Sequence, residues 1–344
     1  MQGNSQLSPT SRFLLLAAAF VVLVAGMKAA VSLLVPFLLA LFISVIAAPP
    51  LFLLKQRGIP TALALLIVIL GIVGTGLLLG WLVGGSLNDF INNLPKYQER
   101  LAAQSQSFLV WLGEQGVEVD ERTLTTYFDT GKAMAMAGKV LSSLGNVLTE
   151  ALFILITVIF ILLEAAGFRR KLHLFVKDPE AALSHIEKIT SDIKRYMSIK
   201  TSTSLLTGVI IAVWLQVLGV DYPILWGTVA FLFNYIPNIG SIIAAIPVVL
   251  LALIQLGAGA ALWTAVGYLV VNNLVGNVIE PRFMGRGLGL SPLIVFLSLV
   301  FWGWILGPVG MFLSVPLTMI VKIILDSSDE TRVIADFLGP EPEK

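Results

Sequence analysis

Long apolar runs dominate the pattern along the chain, and short charged segments separate them. Uncharged runs extend over Ala29 to Leu54, Gly58 to Leu87, Thr201 to Val220, Tyr222 to Ile279 and Gly287 to Val321. Because about 20 apolar residues cross the hydrocarbon core of a bilayer, each run is long enough to span a membrane. The pattern predicts an all-α polytopic membrane protein.

Composition supports this fold class and excludes several functions. The chain is 57% hydrophobic and 12% charged, whereas an average soluble domain is about 25% charged. It has no cysteine, which excludes disulfides and zinc-cysteine sites. The net charge of +1 argues against a nucleic-acid partner, because phosphate binding requires clustered Lys and Arg. No metal site, cofactor or enzymatic activity is expected, since neither a nucleotide-binding motif nor a nucleophile paired with a base is evident.

The first part of the chain, 1–87, predicts three N-terminal transmembrane helices at about Phe13–Met27, Ala30–Leu54 and Thr61–Leu87. The first is expected to be an uncleaved helix rather than a signal peptide, because a second apolar run follows at once. Lys55 and Arg57 lie in a short loop, and such basic loops mark the cytoplasmic side. We therefore expect a cytoplasmic N-terminus.

Composition shifts divide the rest of the chain. A polar segment over 88–140 predicts a helical extracytoplasmic insertion, with one helix from near Pro95 to near Gly113–Gly116. Residues 141–166 predict a transmembrane helix, and the basic segment 167–200 predicts a cytoplasmic amphipathic helix. Residues 201–325 predict a C-terminal transmembrane core with interrupted helices, and 326–344 a cytoplasmic tail.

The third helix carries Gly71, Gly74, Gly76, Gly80 and Gly84. Small residues at these spacings let a neighbouring backbone approach closely. We expect this seam to pack inside the protomer, and the alternative is a helix that slides or dimerises along it.

Two apolar runs contain helix-breaking sequences at membrane depth. The run after Tyr222 is interrupted at "NYIPNIGS", at Pro247 and at "QLGAGA", and the run after Gly287 is interrupted at "GPVG" and at Pro316. Proline removes a helix donor, and non-helical backbone inside a membrane is tolerated only where protein or a watery cavity satisfies it. Interrupted helices are therefore a sequence indicator of a transport pathway. Four residues of the first interruption become candidates for lining it: Asn234, Pro237, Asn238 and Gly240.

A polar stripe precedes the next charged cluster. Asn273, Asn277 and Glu280 recur at helical spacing, which predicts one wall of a polar pathway. Arg282 and Arg286 follow an expected helix break at Pro281 and could gate the pathway by pairing with Glu280 or Asp221. The alternative is a surface loop that holds both arginines, with Glu280 at a helix end.

Glu150 lies inside the predicted span 141–166. An intramembrane acid is a functional candidate by default. The alternative is a carboxylate at the interface or at the rim of a pore.

Three segments carry a resemblance to a known family: "NYIPNIGS", "IEPRFMGRGLGLS" and "FLSLVFWGWILGPVGMFLSVPLTMIVKI". They resemble the autoinducer-2 exporter family of bacterial inner-membrane proteins. The resemblance implies about eight membrane segments and a homo-oligomer, expected as a pentamer. It also implies a small polar solute similar to autoinducer-2 as the substrate. Some similar proteins are sodium or lithium/proton antiporters.

Three functions remain open on the sequence. The first is a transporter or exporter of a small polar signal molecule across the bacterial inner membrane, with carboxamides of the pathway residues binding its hydroxyls. The second is cation/proton antiport, for which Glu280, Asp221 and Glu150 are the candidate carboxylates. The third is a non-transporting membrane scaffold that binds a partner through the polar insertion.

Overall fold

A computed structural model describes residues 8–114, 150–165, 173–174, 179–237, 239–284, 289–328 and 330–340. Asn238 and Arg286 lie outside the described residues, as do residues 115–140 of the predicted insertion and the last four residues. The predictions made for those positions therefore stay predictions.

The described residues are helical throughout and contain no strand. The helices are α1 (Pro9–Ala29), α2 (Val31–Gln56), α3 (Thr61–Glu114), α4 (150–165), α5 (Pro179–Leu218), α6 (Pro223–Phe233), α7 (Gly240–Leu256), α8 (Ala258–Asn272), a π-helix (Asn273–Ile279), α9 (Glu280–Met284), α10 (Pro292–Asp326) and α11 (Arg332–Phe337). Five helical segments are long and apolar enough to cross a membrane: Val31–Gln56, Thr61–Tyr97, Ile186–Leu218, Ala258–Phe283 and Pro292–Asp326. The chain is an all-α polytopic membrane protein.

Two predicted helix boundaries are absent. α3 continues through Leu87 and Pro95 to Glu114, although an end at Leu87 and a new helix near Pro95 were expected. Proline removes one donor from a helix, but Phe90 and Tyr97 on either side of it are buried at 0% and 4% exposure. Their packing against the later helices stabilises α3 as one continuous helix across the change in composition.

α5 likewise joins two segments that the sequence analysis separated at Lys200. The hydroxyl-rich stretch that follows does not interrupt the helix, because Thr201, Ser202 and Thr207 each donate to the carbonyl four residues earlier. Helical hydroxyls commonly satisfy themselves in this way. α5 is therefore a single helix of 40 residues, about 60 Å long.

α6 and α7 form a helical hairpin, which we call hairpin 1. The Asp221 N–H donates to Gln255 Oε1 at 2.9 Å, and Gln255 Nε2 donates to the Gly219 carbonyl at 3.2 Å. The start of α6 and the end of α7 therefore lie together, at the Asp221 end of α5. The predicted break at "NYIPNIGS" is confirmed as the turn of this hairpin. Pro247, by contrast, lies inside α7 without ending it.

α10 is also folded back on itself, and we call its two arms, 292–306 and 308–326, hairpin 2. Gly307 has a left-handed φ of 67° between them, a conformation that glycine adopts without a steric penalty. Trp302 Nε1 donates to Thr318 Oγ1 at 2.9 Å, although a straight helix would separate these residues by about 24 Å. The predicted break at "GPVG" is confirmed, while Pro316 remains within an arm.

The two hairpins enter from opposite ends of α5. Lys188 Nζ lies 3.6 Å from Asp326 Oδ2, so the open end of hairpin 2 is beside the first half of α5. The open end of hairpin 1 is at Asp221, about 50 Å away along the helix. Tyr235 in the turn of hairpin 1 packs on Phe312 of hairpin 2, with ring centroids 4.5 Å apart. The two broken helices thus meet inside the protein.

The glycine seam of α3 is not packed as expected. A Cβ built on any of its five glycines meets no atom within 4 Å among the described residues. Leu77 and Trp81 on the same stretch are 69% and 77% exposed. Among the described residues, the expected tight packing of this seam inside the protomer is not found.

Candidate transport site

A buried ion pair marks the centre of the candidate site. Lys200 Nζ lies 2.9 Å from both carboxylate oxygens of Glu280, and the two side chains are only 7% and 14% exposed. The pair joins the middle of α5 to the end of the helix that begins at Ala258. Removing one member would leave an uncompensated charge in a protein interior, which is strongly unfavourable.

The π-helix explains how Glu280 reaches this position. Seven residues from Asn273 to Ile279 adopt the wider turn, and the Glu280 N–H bonds to the Val275 carbonyl. Pro281 has no N–H and its ring would clash with the carbonyl four residues earlier in a regular helix. A π-turn in front of it rotates the chain and avoids this clash. The predicted helix break at Pro281 is therefore wrong, and the helix continues to Met284.

Two side chains in the turn of hairpin 1 form hydrogen bonds with hydroxyl groups of α5 just after Lys200. Asn234 Nδ2 donates to Ser204 Oγ at 3.0 Å, and Tyr235 Oη donates to Thr201 Oγ1 at 2.8 Å. Asn234 and Ser204 are buried, at 7% and 0% exposure. Because Thr201 directly follows Lys200 in α5, these hydroxyl and amide groups lie next to the ion pair.

Close packing fixes this turn. Gly240 begins α7 directly against the Phe233 backbone, and a Cβ at Gly240 would overlap the Phe233 carbonyl. Only glycine allows this approach. Pro237, which precedes it in the turn, is partly exposed.

The asparagine stripe faces a different direction. Asn273 and Asn277 are exposed, and Asn277 Nδ2 donates to Asn273 Oδ1 at 3.0 Å. Leu269 and Val270 on the same outer surface are 61% and 57% exposed, whereas Val271 and Val275 face the core. The structure therefore brings Glu280 into the protein interior and leaves the two asparagines on the outer surface of the protomer.

Asp221 belongs to a second cluster just beyond the C-terminal end of α5, about 30 Å from Lys200. Tyr97 Oη donates to Asp221 Oδ2 at 2.7 Å, and Asn93 Nδ2 donates to Tyr222 Oη at 3.0 Å. Tyr222 has a left-handed φ of 59°, which is uncommon for an aromatic residue. This cluster holds the open end of hairpin 1 against α3.

The remaining charged candidates do not approach the ion pair. Arg282 is exposed and forms no ion pair with any described residue. Glu150 is exposed at the start of the described part of α4. The structure thus does not bring Glu280, Asp221, Arg282 and Glu150 together into one gate.

Four members of the site were not predicted from the sequence: Lys200, Thr201, Ser204 and Tyr235. Lys200 was interpreted as the end of a cytoplasmic segment. One signal could have indicated it, because Lys200 is the last charge before an uncharged run and begins the hydroxyl-rich stretch "KTSTS". Its pairing with Glu280 required knowledge of how α5 packs against α9, which begins at Glu280.

These features define a multi-pass α-helical membrane protein with two oppositely inserted hairpins and a buried polar cluster where they meet. The model of the AI-2E family of transporters matches residues 16–329. The chain is 38% identical to the AI-2 transport protein TqsA of Escherichia coli, over 93% of each chain. Two relatives are named "Putative transport protein": one from Haemophilus influenzae, 40% identical over 98% of each chain, and YhhT of Escherichia coli, 33% identical over 95% of this chain and 94% of the relative.

The chain therefore belongs to the AI-2E transporter family and is a membrane transporter. Both the predicted family and the predicted fold class are confirmed.

Proposed function

We propose that the chain moves a small polar solute similar to autoinducer-2 past the turn of hairpin 1. The observation that carries this proposal is the buried Lys200–Glu280 ion pair beside a broken helix. Charges inside a membrane protein are rare and mark solute or ion pathways, and broken helices at the same position strengthen that interpretation. The name of the relative TqsA supports the substrate.

The hydrogen bonds around the turn suit a hydroxyl-rich solute. An amide both donates and accepts, and so do the hydroxyls of Thr, Ser and Tyr. A solute hydroxyl that enters between Asn234 and Ser204, or between Tyr235 and Thr201, exchanges one hydrogen bond for two. Such an exchange leaves no buried polar group without a partner, which keeps its free-energy change small.

The ion pair acts as a gate in this proposal. Opening a passage between α5 and the helix that carries Glu280 requires Lys200 and Glu280 to separate. Separation is favourable only when water or a polar solute takes up the bonds that each charge loses. The gate therefore opens in response to a polar occupant and stays closed to apolar molecules.

A sodium or lithium/proton antiporter is the second candidate. A buried carboxylate, Glu280, is the observation that favours it, since antiport requires an acid that alternates between proton and cation. The neighbouring Lys200 ammonium competes with a cation for the same two oxygens. This competition makes antiport the less favoured function.

Assembly and location complete the proposal. We place the chain in the bacterial inner membrane with a cytoplasmic N-terminus, because the basic stretch "FRRKLHLFVK" and the Lys55–Arg57 loop favour that side. We also propose a homo-oligomer, expected as a pentamer, that packs through the uncovered glycine face of α3. The absence of neighbours around these glycines among the described residues supports it.

Purified protein in liposomes tests the function. Uptake of autoinducer-2 is measured with and without a proton or sodium gradient, for the natural chain and for Glu280→Gln. The matched control is Arg282→Gln, which removes an exposed charge two residues away. We expect solute flux without a cation gradient, at least tenfold lower in Glu280→Gln and unchanged in the control. Gradient-coupled proton movement without solute flux would overturn the proposal in favour of antiport.

A further inference from the structure

After hairpin 2 the chain folds back and packs against the open end of that hairpin. Thr331 Oγ1 donates to the Leu325 carbonyl at 2.6 Å, and the Ser291 N–H donates to the Leu338 carbonyl at 3.0 Å. Gly339 lies beside Lys322, one helical turn before the end of α10. α11 is therefore held alongside the open end of hairpin 2.

α11 turns its largest apolar side chains away from the protein. Ala335 is 1% exposed and packs inward, whereas Val333 and Phe337 are 62% and 80% exposed. At 100° per residue, both lie roughly 160° around the helix from Ala335. Neither side chain is buried in the described part of the protein.

The surrounding surface indicates what that contact is. Leu293, Val321 and Ile324, at the open ends of the two arms of hairpin 2, are 64%, 40% and 58% exposed. They belong to a segment apolar enough to cross a membrane. Because α11 lies alongside these ends, Val333 and Phe337 add to the exposed apolar surface at this end of hairpin 2.

We propose that α11 is an interfacial helix whose Val333 and Phe337 insert into the boundary between lipid headgroups and acyl chains. Helices with one apolar and one polar face commonly lie in this boundary. The charge of Arg332 is partly compensated by Asp326, whose Oδ1 lies 3.9 Å from Arg332 Nε. Insertion is therefore driven by the apolar side chains and does not require anionic lipid. The tail of the chain then anchors the open end of hairpin 2 to the membrane surface.

The absence of native cysteine makes a direct test possible. Single cysteines at Phe337 and Val333 (F337C, V333C) are labelled with a nitroxide, and the protein is placed in phosphatidylcholine nanodiscs, with and without phosphatidylglycerol. Spin-label relaxation is measured with oxygen, which concentrates in lipid, and with a nickel chelate, which stays in water. V213C is the lipid-facing benchmark, because Val213 is 59% exposed on α5. E330C is the polar control, since Glu330 is exposed in the turn before α11.

We expect labels at positions 333 and 337 to favour oxygen several-fold over the nickel chelate, approaching the ratio at position 213, in both lipid mixtures. The label at position 330 should favour the nickel chelate. Equal ratios at positions 337 and 330 would place α11 in water and overturn the proposal. Shielding of position 337 from both reagents would indicate a protein partner or a second copy of the chain, and would overturn it equally. An oxygen preference that appears only with phosphatidylglycerol would contradict the apolar mechanism.

Discussion

Two carboxylates, Glu280 and Asp221, lie beside different parts of α5, and their surroundings differ in burial and in the charge of their partner. Glu280 is paired with a cation, Lys200, in a site where both side chains are almost fully buried. Asp221 accepts from a neutral phenol, Tyr97, in a partly exposed cluster. A buried ion pair depends on both members being present, whereas a hydrogen bond from a neutral donor is replaced by water when the site is open. We therefore expect the contact between Lys200 and Glu280 to change during transport, whereas the contacts of Asp221 stay in place.

The largest expected effect comes from breaking the ion pair. Lys200→Met leaves a buried carboxylate without compensation, and we expect it to lower the free energy of unfolding by about 3–5 kcal/mol. Chemical denaturation in detergent, followed by tryptophan fluorescence, measures this change. The double variant Lys200→Met/Glu280→Leu should recover most of the loss, because it removes both charges.

One result would contradict this assignment. A double variant as unstable as the single one would show that the loss is due to packing and not to an unpaired charge. Arg282→Gln serves as the control, because its side chain is exposed, and its unfolding free energy should change by less than about 0.5 kcal/mol.

The second prediction concerns the turn of hairpin 1. Gly240→Ala places a methyl group against the Phe233 carbonyl, so the turn must open. We expect a loss of about 2–3 kcal/mol in stability together with reduced transport. Gly259→Ala is the matched control: it lies in the first turn of α8 with no atom within 4 Å of its Cβ. It should be neutral or slightly stabilising. Equal effects at the two glycines would contradict a closely packed turn.

Features that depend on local sequence were predicted, and features that depend on contacts between distant residues were not. Hydrophobic runs predicted the polytopic fold, and proline with glycine predicted both hairpin turns, because these signals are local. The direction in which each hairpin enters was not predicted, since it depends on contacts such as Asp221 with Gln255, 34 residues apart in the chain. Continuity of α3 through Pro95 was missed for the same reason, because burial of Phe90 and Tyr97 outweighs a local break.

The candidate site was predicted only in part. Glu280 and Asn234 were selected because a charge or an amide in an apolar run is conspicuous. Helical spacing placed Asn273 and Asn277 on the face of Glu280, but the π-helix changes that register, and the structure leaves both asparagines exposed. Lys200 was not predicted as a site residue because it ends a charged segment that already contains several lysines and arginines.

At the Asp221 end, Tyr97→Phe removes one hydrogen bond to a charged acceptor without changing the ring. We expect a loss of about 2 kcal/mol in unfolding free energy, with the transport rate per folded molecule unchanged. Asn93→Ala should act in the same direction and less strongly, because its bond to Tyr222 joins two neutral groups. A variant that retains stability but loses transport would show that the Asp221 end also changes during the cycle. The proposed contrast between the two ends would then fail.

The smallest stability effect is expected at Tyr235. Tyr235→Phe retains the ring contact with Phe312 and removes only the bond to Thr201. Thr201 Oγ1 still bonds to the Met197 carbonyl at 2.7 Å, so it is not left without a partner. The loss of unfolding free energy should therefore stay at or below about 1 kcal/mol.

Transport kinetics should respond more strongly than stability to this change. If the Tyr235 hydroxyl binds the solute, Tyr235→Phe raises the KM for autoinducer-2 several-fold with little change in the maximal rate. Tyr97→Phe, which also removes one tyrosine hydroxyl, is the control and should leave KM unchanged. A several-fold rise in KM at Tyr235 alone would locate solute binding near Lys200, in the middle of α5. The two variants remove the same hydroxyl at positions about 30 Å apart along that helix, so only the one beside the solute should change KM. An equal KM in the two variants would remove the turn of hairpin 1 from the pathway.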